Sequence, residues 1–145
     1  RLCEEADYIL PNVTEACLLA DVPYPENDRL LPVGKIVEKL RSSHTCPMIT
    51  GVVEGTENAV YYDDGGKISR FAVPNADGVF HGSGDVFAAA FTGCLARGKD
   101  VGTSVALASE FTTNAIFRTA KAGDDRRYGI RFEEEIFSFL RKLNA

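Results

Sequence analysis

The sequence has no tryptophan, one methionine and two histidines among its 145 residues. One of these, His44, stands beside Ser43 in a predicted turn with no metal-type residue near it, which reads it as a surface side chain. Cysteine is sparse and scattered. Cys3, Cys17, Cys46 and Cys94 form no close pair, so neither a zinc site nor a redox dithiol is expected, and free thiols of a cytosolic protein account for them. Cys94, in an apolar run, reads as core. Basic residues number 16 against 21 acidic, a formal net charge of −5; this argues against a general nucleic-acid surface. No apolar run reaches membrane-spanning length, and the opening residues lack the basic-then-apolar pattern of a signal peptide. There is no Gly-Lys-Ser/Thr, which excludes a Walker loop. Phe87 stands where a dinucleotide fingerprint needs its third glycine. No internal repeat or low-complexity tract is present. A single soluble domain with a substantial core remains.

What the sequence does have is Phe80-His81-Gly82-Ser83-Gly84-Asp85 leading into the apolar, alanine-rich run Val86–Phe91. Gly82 and Gly84 allow a tight turn and close approach of a ligand to the backbone. The first amides of the helix that follows lack intrahelical partners and sit at the positive end of the macrodipole, which makes an anion site. A carboxylate at Asp85 opposes an anion there unless it takes a proton from a group attacking that anion. The other reading is purely structural: Ser or Asp before a helix serves as a cap, and Gly-Ser-Gly forms turns.

Elsewhere the pattern alternates strand and helix. Asp7–Pro11 reads as a short buried strand, Asn12–Leu19 as a helix with Asn12 and Glu15 at capping-box spacing, and Asp21–Leu31 as a proline-rich connection containing Asn27. Pro32–Ser42 reads as a helix with Val33, Ile36, Val37 and Leu40 on one face, and Cys46–Val53 as a second buried strand. Helix between strands implies parallel pairing, with ligand sites at the carboxyl ends of the strands. Ala59–Tyr62 and Lys67–Val73, joined by Asp63-Asp64-Gly65-Gly66, predict an antiparallel hairpin at the sheet edge. Three helices follow, over about 85–96, 102–122 and 132–143, the first stopped by Gly98. Val105, Ala108, Phe111, Ala115, Ile116 and Thr119 trace one face of the second. Ile136, Phe137, Leu140 and Leu143 are the apolar positions of the third. Phe111, Phe117, Phe137 and Phe139 read as core or interface, and Lys121–Arg127 as a solvated loop.

The order of these features resembles the carboxyl-terminal half of the ribokinase-like superfamily, and most closely its pyridoxal (pyridoxine, pyridoxamine) kinases. Asn12–Glu15 matches the family's Asn-x-x-Glu motif. Gly82–Asp85 matches its Gly-Thr-Gly-Asp motif, with Ser83 retaining the hydroxyl. The resemblance covers nearly all of the chain. It implies a three-layer α/β/α fold, of which residues 1–145 are a single partial domain with a mixed sheet and a hairpin.

The resemblance also implies roles. Asp85 is the base for the substrate's hydroxymethyl group. Gly82, Ser83 and Gly84 supply amides to the transferring phosphoryl group. Glu15 holds Mg²⁺ through water, supported by Asn12; Thr50 lies near the ATP phosphates; Phe80 borders the adenine together with the face of the 102–122 helix. ATP is the co-substrate, a B6 vitamer the acceptor, and K⁺ a further candidate cation. The related hydroxymethylpyrimidine kinases usually carry Cys in place of Asp85, which favours a B6 substrate. A hydroxymethylpyrimidine or sugar kinase, or a non-catalytic nucleotide-binding fragment, is the alternative. The chain is expected to be cytoplasmic. Family members are much longer, so it is also expected to have little activity alone and to cover its exposed strand edge by pairing with a second copy as a dimer.

Overall fold

The computed structural model describes residues 2–25, 31–42, 44–123 and 128–145. Asn27, Ser43 and the 124–127 part of the predicted charged loop lie outside them. The chain divides into two compact units, Arg1–Ala72 and Val73–Ala145.

The first unit opens with a single helical turn, α1 (Leu2–Glu5), which the sequence pattern did not suggest, followed by β1 (Tyr8–Ile9) and α2 (Val13–Leu19). Helix α3 (Val33–Leu40) leads into β2 (Cys46–Glu54), β3 (Glu57–Asp64) and β4 (Lys67–Pro74), which runs on across the boundary between the units. The strand order is β1-β2-β3-β4. As expected for strands joined through helices, β1 pairs parallel to β2, Tyr8 opposite Cys46 and Ile9 opposite Pro47. The predicted hairpin is present, with β4 on the edge. Its turn is held by Asp63, whose Oδ1 accepts from Gly66 N and from Arg41 Nη2, both at 2.9 Å.

A second hairpin was not legible in the pattern. β2 pairs antiparallel with β3, from Met48↔Tyr62 to Glu54↔Glu57, across the short Gly55-Thr56 turn. The register shifts between Ile49 and Val52, where Gly51 has φ 72°, a conformation that suits glycine. Helices α2 and α3 bury Ala16, Cys17, Ile36 and Val37 against Ile49, Val52 and Ala59 of the sheet. Lys39 closes α2 from its neighbour, donating to Ala20 O at 2.9 Å; a cation there complements the helix's carboxyl end.

The second unit is helical: α4 (Ser83–Ala96), α5 (Val101–Ala122), a 3-10 turn (Glu133–Glu135) and α6 (Ile136–Leu143). α5 starts one residue before the predicted boundary because Asp100 caps it, Oδ1 accepting from Thr103 N at 2.8 Å. Its predicted face is buried at Val105, Ala108, Phe111, Ala115 and Thr119, with Ile116 half-buried. Cys94 is buried as expected, and Phe87 and Phe91 stack at 6.3 Å one turn apart on α4. Phe111 meets Phe139 of α6 with ring centroids 4.8 Å apart. Phe117 and Phe137, read as core or interface, are on the surface at 42% and 78% exposed. Packing of α6 is one-sided: it buries Leu143, leaves Ile136 and Phe139 half-buried and turns Phe137 and Leu140 outward.

Candidate functional site

Asn12, Glu15 and Thr50 belong to the first unit, and β1 brings them together. Beyond Ile9 the parallel ladder continues as Thr50 N donating to Pro11 O at 2.9 Å and as a bridge between Asn12 and Thr50. Thr50 therefore sits at the carboxyl end of the β1–β2 pair and at the register shift, where β2 loosens from β3. Its hydroxyl makes only a long 3.4 Å contact to Pro11 O. Asn12 and Glu15 form the reciprocal capping box: Asn12 Oδ1 accepts from Glu15 N, and Asn12 N donates to Glu15 Oε2, both at 2.9 Å. Capping thus occupies one carboxylate oxygen and leaves Oε1 of an exposed side chain for another partner. Glu15 also lines an open groove of about 440 Å³ with Cys3, Ile9, Leu10, Pro11, Leu18 and Leu19.

Among the described residues no group of three or more His, Cys, Asp or Glu side chains could hold a metal. A lone accessible carboxylate fits Mg²⁺ nonetheless, since this ion keeps most of its waters and takes phosphate oxygens in preference to an all-protein cage.

Phe80, Gly82, Ser83, Gly84 and Asp85 belong to the second unit and form one continuous turn into α4. Gly82 has φ 77° and ψ −4°, the left-handed values of the third residue of a type II turn. Ser83 Oγ closes that turn by donating to Phe80 O at 2.9 Å. The hydroxyl is therefore spent on the loop, and the backbone amide of Ser83 is what remains for a ligand. Val86 N makes the first helical bond, to Gly82 O at 3.0 Å, so the amides of Ser83, Gly84 and Asp85 precede it. A left-handed residue followed by a helical one points successive N–H groups into a concavity, the anion-binding nest.

The purely structural alternative is a capped helix end, and here the helices differ. α2 and α5 carry side-chain caps from Asn12 and Asp100, whereas the cap residue of α4 is Gly82, with no side chain to accept from the nest. Asp85 is exposed in the first turn of the helix. Phe80 is 7% exposed and packs with Ala115 and Ile130, against which Ala76, Val86, Ile116 and Phe132 also lie. Its ring anchors the turn from below as a core side chain.

The family model for phosphomethylpyrimidine kinases matches residues 1–129. The chain belongs to this family. No curated protein sequence matches it. Among solved structures, pyridoxal kinase from Lactobacillus plantarum is similar at 26% identity and a TM-score of 0.83, over 97% of this chain and 51% of that one. A candidate phosphomethylpyrimidine kinase from Bacteroides thetaiotaomicron is similar at 28% identity and 0.82, over 92% and 47%, and an orthorhombic form of it contains pyridoxal. Pyridoxal kinase from Staphylococcus aureus, in complex with AMP-PCP and pyridoxal, is similar at 25% identity and 0.69, over 79% and 44%. The chain thus spans about half the length of these relatives. The ribokinase-like α/β fold expected from the motif order is the fold of this family member.

One residue of the turn escaped the motif reading. His81 is exposed between the buried Phe80 and the left-handed Gly82. The signal that could have found it is charge: from Phe71 to Ala96 the sequence contains no Lys or Arg.

Proposed function

We propose that the chain is the nucleotide-binding part of an ATP-dependent kinase that phosphorylates the 5′-hydroxymethyl group of pyridoxal, pyridoxine or pyridoxamine. The observation that carries the reading is the uncapped nest at Gly82–Gly84 with exposed Asp85 in the same helical turn. Phosphoryl transfer depends on positioning and on neutralising charge on the transferring group, and preorganised amides supply both. The amides would hold the γ-phosphoryl group, and Asp85 would accept the proton of the attacking hydroxyl. Glu15, oriented by Asn12, would hold Mg²⁺ through water near Thr50; when bound, that ion offsets charge on the phosphate oxygens.

The B6 acceptor is supported by Asp85 itself, at the position where the resemblance gives hydroxymethylpyrimidine kinases a cysteine. The name of the matched family favours the pyrimidine instead, so the two acceptors should be offered in parallel. The test is calorimetric titration with ATP–Mg²⁺, and then phosphate transfer measured in a polypeptide of the relatives' full length. Asp85→Asn is expected to leave nucleotide binding nearly intact and to abolish transfer to pyridoxal. Undiminished turnover by that variant, or transfer to hydroxymethylpyrimidine alone, would overturn the assignment. The 145-residue chain by itself is expected to bind nucleotide with little or no turnover.

A further inference from the structure

Residues 129–135 come back to α5 and close the apolar cluster on which the Gly82–Gly84 turn is anchored. Gly129 has φ 97°, a left-handed value that lets the chain reverse at little cost. Phe132 N donates to Ile130 O at 2.9 Å, which makes a three-residue turn with Arg131 at its tip. Ile130 is buried with Phe80 and Ala115, and Phe132 lies against the same cluster. So does Val86, the residue after Asp85. Phe80 and Val86 stand on either side of Gly82–Asp85, so the cluster that this strap completes grips both ends of the turn.

Two fastenings tie the strap to α5. The buried Thr119 is the first: its Oγ1 donates to Ala115 O at 2.7 Å, one helical turn back, and accepts from Arg131 N at 2.8 Å. The back-bond orients the hydroxyl, and the second bond pins the tip of the three-residue turn. Arg118 is the second, with Nε donating to Glu135 Oε1 at 2.8 Å and Nη1 to Glu134 Oε2 at 3.0 Å. Arg118 and Glu134 are exposed, and exposed ion pairs contribute little. A covered amide left without its acceptor costs more, so Thr119 is the stronger fastening. It also differs from Ser109 and Thr112 of the same helix, whose buried hydroxyls find no partner among the described residues. A hydroxyl on an otherwise apolar face is thus explained at 119 by the strap.

We infer that Thr119 is a positioning residue: through Arg131 N it seats Ile130 against Phe80, and so holds the Gly82–Gly84 turn in the conformation that receives the nucleotide. Its action is indirect, through the strap and the Phe80 cluster. The inference rests on the nucleotide-binding reading above.

The experiment compares wild type, Thr119→Val and Thr119→Ser in the 145-residue chain. Affinity is measured by calorimetric titration with ATP–Mg²⁺, and the turn is followed by the NMR shifts of the Ser83, Gly84 and Asp85 amides without ligand. Thr119→Val keeps the shape and loses the oxygen, whereas Thr119→Ser keeps the oxygen. Thr119→Val is expected to move the turn amides and to weaken binding about fivefold, the scale of one hydrogen bond. Thr119→Ser is expected to keep both near wild type. Circular dichroism at the titration temperature establishes that each protein is folded. Should Thr119→Val not fold, Ile130→Ala, which keeps the fastening and shortens the side chain on Phe80, is expected to give the same two changes. Turn amides that stay in place in the variant that folds, an affinity that is unchanged while they move, or a Thr119→Ser as weak as Thr119→Val would each overturn the inference and leave nucleotide binding standing. A wild-type chain that binds no ATP would remove the nucleotide reading and the positioning role with it; the amide shifts would still decide whether the strap sets the turn.

Discussion

Gly82 is the residue on which the nest depends, and its requirement is conformational. An added Cβ would meet nothing within 4 Å, so space does not explain the glycine. The φ of 77° does, because a side chain in the left-handed region costs about 1–2 kcal/mol. Gly82→Ala is therefore expected to lower stability by about that amount and to weaken ATP–Mg²⁺ binding, whereas Gly84→Ala, at ordinary φ and in open space, should fold normally. Chemical denaturation of the two variants side by side separates strain from crowding. Much of this was legible in the sequence, because glycine spacing before an apolar helix has few physical meanings. The division of labour in Ser83 was not: the hydroxyl that matched the motif closes the loop, and only the amide faces outward. The capping box was legible at Asn12 and Glu15, the two residues on which the family motif also falls.

At the scale of elements, helix faces and strands were read correctly where periodicity was strong, and the misses have physical causes. The β2–β3 hairpin was hidden because Gly55-Thr56 is a weak turn signal beside the conspicuous Asp63–Gly66. Phe137 is exposed because α6 has apolar residues on more sides than it buries. On α5, Ser109 and Thr112 are buried with hydroxyls that find no partner among the described residues. An unpaired buried hydroxyl costs about 1–3 kcal/mol, so Thr112→Val, which keeps the shape, should raise the melting temperature; a lower one would show that the hydroxyl has a partner. On the sheet, a hydrogen bond from Tyr61 to Glu54 at 2.6 Å, and then Arg70, hold the Glu54 carboxyl below its ordinary range despite burial. A depressed carboxylate pKa stabilises the fold above the unfolded value, and the contribution is lost as pH falls through the folded one. Tyr61→Phe removes the first cause, so the Glu54 titration followed by NMR should move upward and acid unfolding should begin at higher pH.

For the molecule as a whole, the sheet leaves β1 at one end of the strand order, beside a groove whose Leu18 is 76% exposed and Leu19 50%. Strand edges and apolar patches of this kind favour association. We expect the chain to self-associate in a concentration-dependent way in sedimentation velocity, and Leu18→Glu to shift it toward monomer; a sharp monomer at every loading would refute this. The chain spans about half the length of its relatives, so whatever the other half contributes to function was not legible in it.

The register shift at Thr50-Gly51 has a consequence for how the sheet tolerates insertion and loss. Side chains alternate between faces along a strand, so a single extra residue reverses the parity of everything after it. Val52, 2% exposed, points inward because that reversal has occurred. Deleting Gly51 would remove the extra residue and leave Val52 opposite Ala59, two residues from Ile49 and on the same inward face. Removing a residue from the regular part of β2 would instead turn everything beyond it to the opposite face.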